Sequence, residues 1–287
     1  MAETFESYRA YLFSIAYRML GSAMDAEDMV QETFLRYQAA MPETIVSLKA
    51  YLATILTRLC LDQLHLARRS RDTYLGPWLP EPVRTDEAIV AASPEERVEE
   101  YESLSLAFMM LLEELQPVER AVFLLREVFD YEYDEIATML GKSEVACRQS
   151  FSRAKKHLAD RRPRFPASVE AHRQMLTRFI QATQDGDLDG LVSMLAEDVT
   201  LWADGGGRVR GAATRPISGR LAVARFAVGS LRFLPPDYAV EVASVNGQPA
   251  IVIRVGGQPY LVLSVVAEGD RIQSVQVIAN PAKLAHV

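Results

Sequence analysis

Hydrophobic residues recur at three- and four-residue spacing through residues 4–71, which predicts amphipathic helices in this part of the chain. Gly21 is expected to end the first helix, because glycine commonly takes the left-handed conformation that follows a helix. Asp25 is placed to cap the second helix and Pro42 to end it, and Ser47 is placed to cap the third. The first quarter of the chain is therefore predicted to be all-helical.

A break in this pattern predicts a linker at residues 74–102. Pro77, Pro80 and Pro82 prevent regular helix at its beginning, and an acidic stretch follows. Helical periodicity then returns over residues 104–158. The helical domains predicted on either side of the linker are residues 1–73 and 103–164.

The pattern changes again in residues 165–287, where two helical segments precede several strand-like runs. Asn246-Gly247, Gly256-Gly257 and Gly269-Asp270 separate these runs and are typical of hairpin turns. This order predicts an α+β domain with an antiparallel sheet. The predicted helices are residues 169–184 and 187–196, and the predicted strands are residues 199–202, 239–245, 250–255, 260–267 and 272–278.

Charge is distributed unevenly along the 287 residues, and this changes what the formal net charge of −7 implies. Residues 81–140 carry 16 acidic and 4 basic side chains, whereas residues 141–164 carry 8 Lys or Arg and 2 Asp or Glu. A phosphate backbone responds to local charge rather than to the total. The compact basic segment is therefore a candidate nucleic-acid surface.

Cysteine usage and hydropathy narrow the class of protein further. Cys60 and Cys147 are far apart and match no zinc-binding spacing, so we expect buried reduced thiols and no metal site. No apolar run reaches membrane-spanning length, and the residues after Met1 are polar rather than a signal peptide. These features predict a soluble cytoplasmic protein with no membrane partner.

Residues 134–158 have the spacing of a helix-turn-helix unit. Ala137 lets two helices approach closely, Gly141 permits the tight turn, and Cys147 holds the second helix against the first. Ser143 is placed to cap that second helix, whose first half would lie in the major groove. Arginine and glutamine can pair with base edges, and lysine suits phosphates. The candidate DNA-binding residues are Ser143, Arg148, Gln149, Ser152, Arg153, Lys155 and Lys156.

Four segments in a fixed order carry a family resemblance. They are DAEDMVQETFL at residues 25–35, YLATILTR at residues 51–58, LQPVERAVF at residues 115–123, and residues 134–158. Together they resemble regions 2 and 4 of extracytoplasmic-function sigma factors, over about residues 4–162. The resemblance implies a protein that binds core RNA polymerase and promoter DNA.

The resemblance also implies roles for particular residues of region 2. Asp28, Gln31 and Glu32 place carboxylate and amide groups on one helix face, which would meet the polymerase clamp. The loop at residues 40–46 would hold a flipped base of the −10 element. The candidate contacts with the unpaired −10 strand are Tyr51, Arg58, Arg68 and Arg69.

Three further segments resemble a subgroup of these sigma factors with a SnoaL-like C-terminal domain. They are WLPEP at residues 78–82, DGGG at residues 204–207 and NPAKL at residues 280–284. The subgroup implies an α+β cone of the cystatin/NTF2-like fold that regulates the sigma factor in cis, with no dedicated anti-sigma factor. Arg208 stands where the subgroup pattern has lysine. The candidate regulatory interface is Trp78, Pro80, Asp204, Gly205, Gly206, Gly207, Asn280, Pro281, Lys283 and Leu284.

Two other functions are compatible with parts of this pattern. A one-component helix-turn-helix regulator with a ligand-binding domain would need no clamp-binding helix, so residues 4–71 argue against it. A SnoaL-like isomerase or cyclase would need a carboxylate base and an acid inside the cone. Asp204 is in a glycine turn, and His172 is expected to be exposed, so we expect no catalytic residue and no cofactor. Binding of a small molecule in the cone stays open.

Overall fold

The computed structural model describes residues 2–40, 45–71, 73–85, 103–158 and 168–287, with the backbone alone for residues 2–3 and 68–71. The chain divides into two compact units. The first unit comprises Met1–Asp72 and Met109–Arg162, and the second comprises Thr73–Phe108 and Pro163–Val287. The segment that follows the first three helices thus belongs with the C-terminal domain.

Helices form the described part of the chain up to residue 158, apart from the segment at residues 73–85. They are α1 (Ala2–Leu20), α2 (Ala23–Ala40), α3 (Leu48–Arg71), α4 (Leu106–Glu113), α5 (Pro117–Glu127), α6 (Tyr133–Leu140) and α7 (Glu144–Leu158).

Serine side chains cap the N-termini of α2 and α3, and the predicted cap of α2 is wrong. The hydroxyl of Ser47 accepts a hydrogen bond from the Ala50 N–H, as expected for the cap of α3. The cap of α2 is Ser22, whose hydroxyl accepts from the Asp25 N–H at 3.1 Å, and not Asp25 itself. Asp25 lies instead in the first turn, where its charge still favours the helix dipole.

The first unit is built on a buried apolar core shared by α1, α2 and α3. Leu12, Ile15, Val30, Leu52 and Leu56 are fully buried. The helices α5 and α6 pack on α3, and α5 also packs on α1. The three N-terminal helices and the helices of residues 117–158 therefore form one body.

Polar contacts also join these two sets of helices. The guanidinium of Arg120, 2% exposed, donates to the carbonyl of Arg18 at 2.8 and 3.1 Å. The hydroxyl of Tyr11 donates to that of Tyr131 at 2.7 Å. A buried guanidinium is stable only when its donors are paired, so the Arg120 contact depends on both sets being in place.

The C-terminal domain combines helices with one six-stranded sheet in the order β2-β1-β6-β5-β4-β3. The prediction of an antiparallel sheet is wrong for one pair, because β1 and β6 run parallel. The helix α10 and the short strand β2 were not predicted. The elements are α8 (Val169–Asp185), α9 (Leu188–Met194), β1 (Leu195–Asp204), β2 (Ile217–Ser218), α10 (Arg220–Ser230), β3 (Tyr238–Val245), β4 (Gln248–Val255), β5 (Gln258–Glu268) and β6 (Arg271–Ile278).

The three helices of this domain pack against one another, α8 and α10 also pack on the sheet, and together they close an apolar core. Leu176, Leu191, Val223, Ile251 and Val275 are fully buried members of it. The predicted order, an all-helical part followed by an α+β domain, is confirmed.

His172 contradicts its prediction, because it is 2% exposed rather than at the surface. It shares the inner face of α8 with Leu176 and Phe179, at positions that follow the helical repeat. Burial lowers the pKa of the imidazole. The residue lies near the start of the domain in sequence but within its core in space.

Candidate nucleic-acid interface and linker-binding site

The helices α6 and α7 form the predicted helix-turn-helix. Gly141 ends α6 with a left-handed φ of 61°, and Cys147 is fully buried behind α7. The hydroxyl of Ser143 accepts a hydrogen bond from the Ala146 N–H at 3.2 Å, which caps α7. This geometry turns the opposite face of α7 toward solvent.

All seven candidate DNA-binding residues of this unit are exposed. Several are paired with acidic side chains of the same unit. Arg153 contacts Glu119 at 2.6 Å and Lys155 contacts Glu127 at 3.3 Å. Arg148 lies 4.3 Å from the ring centre of Tyr133. Exposed ion pairs are weak, so phosphates could replace these partners.

The candidate clamp face on α2 is only partly open. Asp28 and Gln31 are exposed, whereas Glu32 is half-buried and pairs with Arg36 at 2.9 Å. Leu35 follows Gln31 by one turn and is 50% exposed. The face therefore offers polar groups beside an exposed apolar side chain.

The candidate −10 contacts on α3 differ in their surroundings. Tyr51 is half-buried against the ring of Tyr37. Arg58 donates to the carbonyls of Met139 and Thr138 at 2.8 and 3.2 Å, at the end of α6. The side chains of Arg68 and Arg69, and residues 41–44 of the predicted base-binding loop, lie outside the described residues.

A groove of about 420 Å³ lies between the start of α3 and one face of α6 within this unit. One wall includes Val46 and Tyr51, and the other includes Asp134, Glu135 and Met139. Of the −10 candidates, Tyr51 thus lines a groove that faces the first helix of the helix-turn-helix.

The segment Tyr74–Thr85, hereafter the docked linker, binds the C-terminal domain at Asp204. This carboxylate ends β1 and is fully buried. It accepts hydrogen bonds from the Tyr74 hydroxyl, from the Leu79 N–H at 2.9 Å and from the Gly206 N–H at 3.0 Å. Lys283 supplies the compensating charge, with Nζ 2.7 Å from the carboxylate. Removing either partner of this buried ion pair would leave the other charge unpaired, which costs free energy of folding.

Lys283 also holds the docked linker directly. Its ammonium donates to the Leu79 carbonyl and lies 3.9 Å from the ring centre of Trp78. The Asn280 amide donates to the Tyr74 hydroxyl at 2.9 Å. Burial, followed by the Asp204 carboxylate, raises the pKa of Tyr74. The two C-terminal motifs therefore meet around the first half of the linker.

Glycines allow this close approach. A Cβ on Gly206 would lie 2.7 Å from the Asn280 side chain, and one on Gly207 would lie 2.8 Å from Leu75. Gly205 instead faces Ala212 within its own loop. Of the other predicted interface residues, Pro80 and Leu284 are buried, whereas Pro281 is exposed.

A second anchor at Asn246 was missed by the sequence analysis, which assigned this residue only to a hairpin turn. Asn246 is fully buried with a φ of 52°. Its Oδ1 accepts from the Val83 N–H at 2.9 Å, and its Nδ2 donates to the Leu104 carbonyl at 3.0 Å. No local signal separates an ordinary Asn-Gly turn from one whose side chain binds a distant segment.

The end of the docked linker pairs with the sheet like a short added strand. Arg84 bridges to Val245 of the edge strand β3 in antiparallel fashion. The Thr85 N–H donates to the Ser244 carbonyl at 2.9 Å, and the Arg84 side chain contacts Glu241 at 2.7 Å. The guanidinium of Arg254, followed by that of Arg84, lowers the pKa of Glu241.

Within the described residues no helix is long and apolar enough to cross a membrane. The same residues contain no cluster of three or more His, Cys, Asp or Glu side chains able to hold a metal ion.

Comparison with known proteins agrees with this architecture. The family model for Sigma-70 region 2 matches residues 4–71, and that for Sigma-70 region 4 matches residues 105–158. The chain is 39% identical to the ECF RNA polymerase sigma factor SigJ of Mycobacterium tuberculosis, over 85% of this chain and 78% of the relative. It is 33% identical to the probable ECF RNA polymerase sigma factor SigI of the same species, over 99% of this chain and 94% of the relative.

A solved structure extends the likeness to the whole chain. The crystal structure of the Mycobacterium tuberculosis extracytoplasmic function sigma factor SigJ superposes with a TM-score of 0.77 at 34% identity, covering 100% of this chain and 99% of that one. With regions 2 and 4 both present and the relatives spanning the C-terminal domain as well, the chain belongs to the extracytoplasmic-function RNA polymerase sigma factors.

Proposed function

We propose that the C-terminal domain of this sigma factor regulates it in cis by holding the docked linker, and thereby restrains regions 2 and 4. The observation that carries the proposal is the buried carboxylate of Asp204. Its oxygens accept hydrogen bonds from Tyr74 and Leu79 of the linker and contact the ammonium of Lys283. This site stabilises the docked state, because separating the linker from the domain would leave its buried polar groups unpaired.

Contacts inside the helical unit support a restrained state. Arg58 is a candidate for the −10 strand, yet its guanidinium donates to two carbonyls at the end of α6. The −10 and −35 elements are roughly 25 base pairs apart, about 85 Å at 3.4 Å per base pair. Regions that pack directly on each other cannot contact both elements, so promoter binding requires them to separate.

We assign promoter and polymerase contacts to the exposed faces described above. Arg148, Gln149, Ser152 and Arg153 would read the −35 element from α7, with Lys155 and Lys156 on phosphates. Asp28, Gln31 and Glu32 would bind the polymerase clamp. These roles rest on exposure, on helix position and on the family to which the chain belongs.

A restraint built into the chain would make a separate anti-sigma factor unnecessary. It also argues for a regulatory rather than a catalytic C-terminal domain. Asp204 is a carboxylate of the kind that an isomerase-type site needs, but the linker and Lys283 occupy its oxygens. A base with both oxygens engaged in this way is poorly placed to accept a substrate proton.

The proposal is tested by run-off transcription with core RNA polymerase and the double variant Asp204→Asn with Lys283→Met. Removing both charges together weakens linker docking without leaving one charge buried and unpaired. We expect a several-fold rise in promoter-dependent transcript at limiting sigma factor, because linker release is then easier.

Asp270→Asn is the matched control, since it removes a carboxylate from an exposed turn of the same domain. It should transcribe like the unmodified protein. A folded double variant with unchanged transcription would contradict regulation through the docked linker.

A further inference from the structure

We infer that Asn246 is a positioning residue for the linker. Its side chain bridges Val83 and Leu104, and this bridge shortens the chain that connects regions 2 and 4. The inference rests on the proposed function, in which the docked linker restrains these regions. It adds a second anchor, independent of Asp204, and gives that anchor a mechanical role.

The side-chain amide of Asn246 contacts two segments that are distant from it in the chain. Asn246 accepts from Val83 at 2.9 Å and donates to Leu104 at 3.0 Å, and its own N–H donates to the Val83 carbonyl at 2.8 Å. Since one amide group makes both side-chain contacts, the Val83 nitrogen and the Leu104 oxygen are no more than about 8 Å apart. The Leu104 contact is buried and the Val83 contact is partly buried, and the Asn246 amide itself is fully buried, so its replacement by water is costly.

Bridging these residues removes a large part of the linker's reach. An extended chain covers at most about 3.3 Å per residue, so the connection from Arg71 at the end of α3 to Leu106 at the start of α4 can span about 115 Å. With Val83 and Leu104 held together, the remaining residues can span only about 55 Å. The bridge therefore halves the distance over which the linker can extend.

This loss of reach matters because the two promoter elements are far apart. Their separation of about 85 Å is within the reach of the free linker and beyond that of the bridged one. Opening of the bridge would thus accompany the separation of regions 2 and 4 on a promoter.

Asparagine is well suited to this position for two reasons. Its backbone tolerates the left-handed conformation required by the turn. Its side chain combines one acceptor, used by Val83, with donors, one of which is used by Leu104. Asn246→Asp keeps the acceptor but loses the donor, whereas Asn246→Gly keeps the turn but loses both contacts.

The test uses the full-length protein with core RNA polymerase and a promoter fragment. Hydrogen–deuterium exchange at the Val83 amide reports the anchor, and the rate of promoter-complex formation reports its consequence. For Asn246→Gly we expect exchange at Val83 to rise by about fivefold or more, as for the loss of one hydrogen bond. For Asn246→Asp we expect Val83 to stay protected. Both variants should form promoter complexes several-fold faster.

Gly256→Asn is the matched control. It alters a neighbouring hairpin turn of similar conformation, with a φ of 58° and no atom within 4 Å of the added Cβ. Its exchange and its rate should equal those of the unmodified protein.

Unchanged or slower promoter-complex formation in folded Asn246→Asp protein would overturn the inference, whatever happens to Asn246→Gly. If the Asp204 and Lys283 double variant still raises transcription, the proposed function stands and only the role of Asn246 falls. If neither set of variants changes transcription, both fall together.

Discussion

Arg148 and Lys156 are both exposed on α7, yet we expect them to act differently on DNA. Arg148→Ala should cost on the order of 1–3 kcal/mol at the preferred −35 sequence and relax specificity there, because a bidentate base contact is lost. Binding titrations against the preferred and a substituted −35 element measure this directly. Equal losses on both sequences would remove Arg148 from the set of base-reading residues.

Lys156→Ala is the matched control for that measurement. It should weaken binding to all sequences alike and lower the slope of log affinity against log salt by about 1, because one phosphate contact is lost. A change in sequence preference would contradict its assignment to the phosphate backbone.

Clamp binding is the second prediction at the scale of residues. Gln31→Ala with Glu32→Ala should weaken binding to core RNA polymerase without unfolding the protein, since Gln31 is exposed and Glu32 is half-buried. Arg36→Ala is the control, because it breaks the ion pair with Glu32 and keeps the Glu32 carboxylate. A pull-down titration in which the double variant and the control bind equally would remove the clamp assignment.

Local chemistry predicts single residues well only when their partners are close in sequence. The caps Ser47 and Ser143 were predictable, because each hydroxyl bonds an N–H three residues away. Asp25 was assigned a cap that Ser22 makes, since either residue type suits that place. Asn246 was misjudged because its partners Val83 and Leu104 are distant in the chain. His172 was misjudged because its position near the start of the domain suggested exposure, although it shares the helical repeat of Leu176 and Phe179.

At the scale of elements, α7 depends on its cap. Ser143→Ala should lower the free energy of unfolding by about 1 kcal/mol, because the Ala146 N–H loses its partner. Ser143→Asp should retain most of that stability, since aspartate also caps helices. Chemical denaturation of the three proteins provides the measurement, and equal stability of Ser143→Ala would show that the cap contributes nothing.

Elements with strong periodicity were predictable, and those with weak periodicity were not. The helices α8 and α9 and the strands β3 to β6 follow clear apolar repeats with turn residues between them. The helix α10 mixes alanine, which favours helix, with valine, which favours strand, and glycine, which disfavours both, so its sequence gives no clear prediction. The parallel pairing of β1 with β6 is set by tertiary packing, so no local pattern contains it.

For the whole molecule, deletion of residues 280–287 is expected to release the first half of the docked linker. It removes Asn280 and Lys283, which contact Tyr74, Trp78 and Leu79. Promoter activity should change in run-off transcription, and circular dichroism should show that secondary structure is retained. Deletion of residues 168–287 should alter binding to core polymerase or to the promoter further. Equal activity of the full-length protein and both deletion variants would show that the C-terminal domain has no regulatory role.

The sequence motifs predicted that the loop at residues 204–207 and the segment at residues 280–284 act together, and the structure brings both to one carboxylate. The resemblance also assigned Trp78 and Pro80 of the linker to this interface, whereas composition alone did not. In sequence the proline-rich segment at residues 77–82 resembles a solvated spacer, since the domain that binds it lies more than 100 residues further along the chain.

The docked linker also covers an edge. The strand β3 ends the sheet, and an uncovered edge strand offers unpaired N–H and C=O groups to other chains. Arg84 and its neighbours satisfy these groups at the end of β3. In the proposed mechanism, release of the linker would uncover the end of this edge strand, so the released form should self-associate more readily than the docked form.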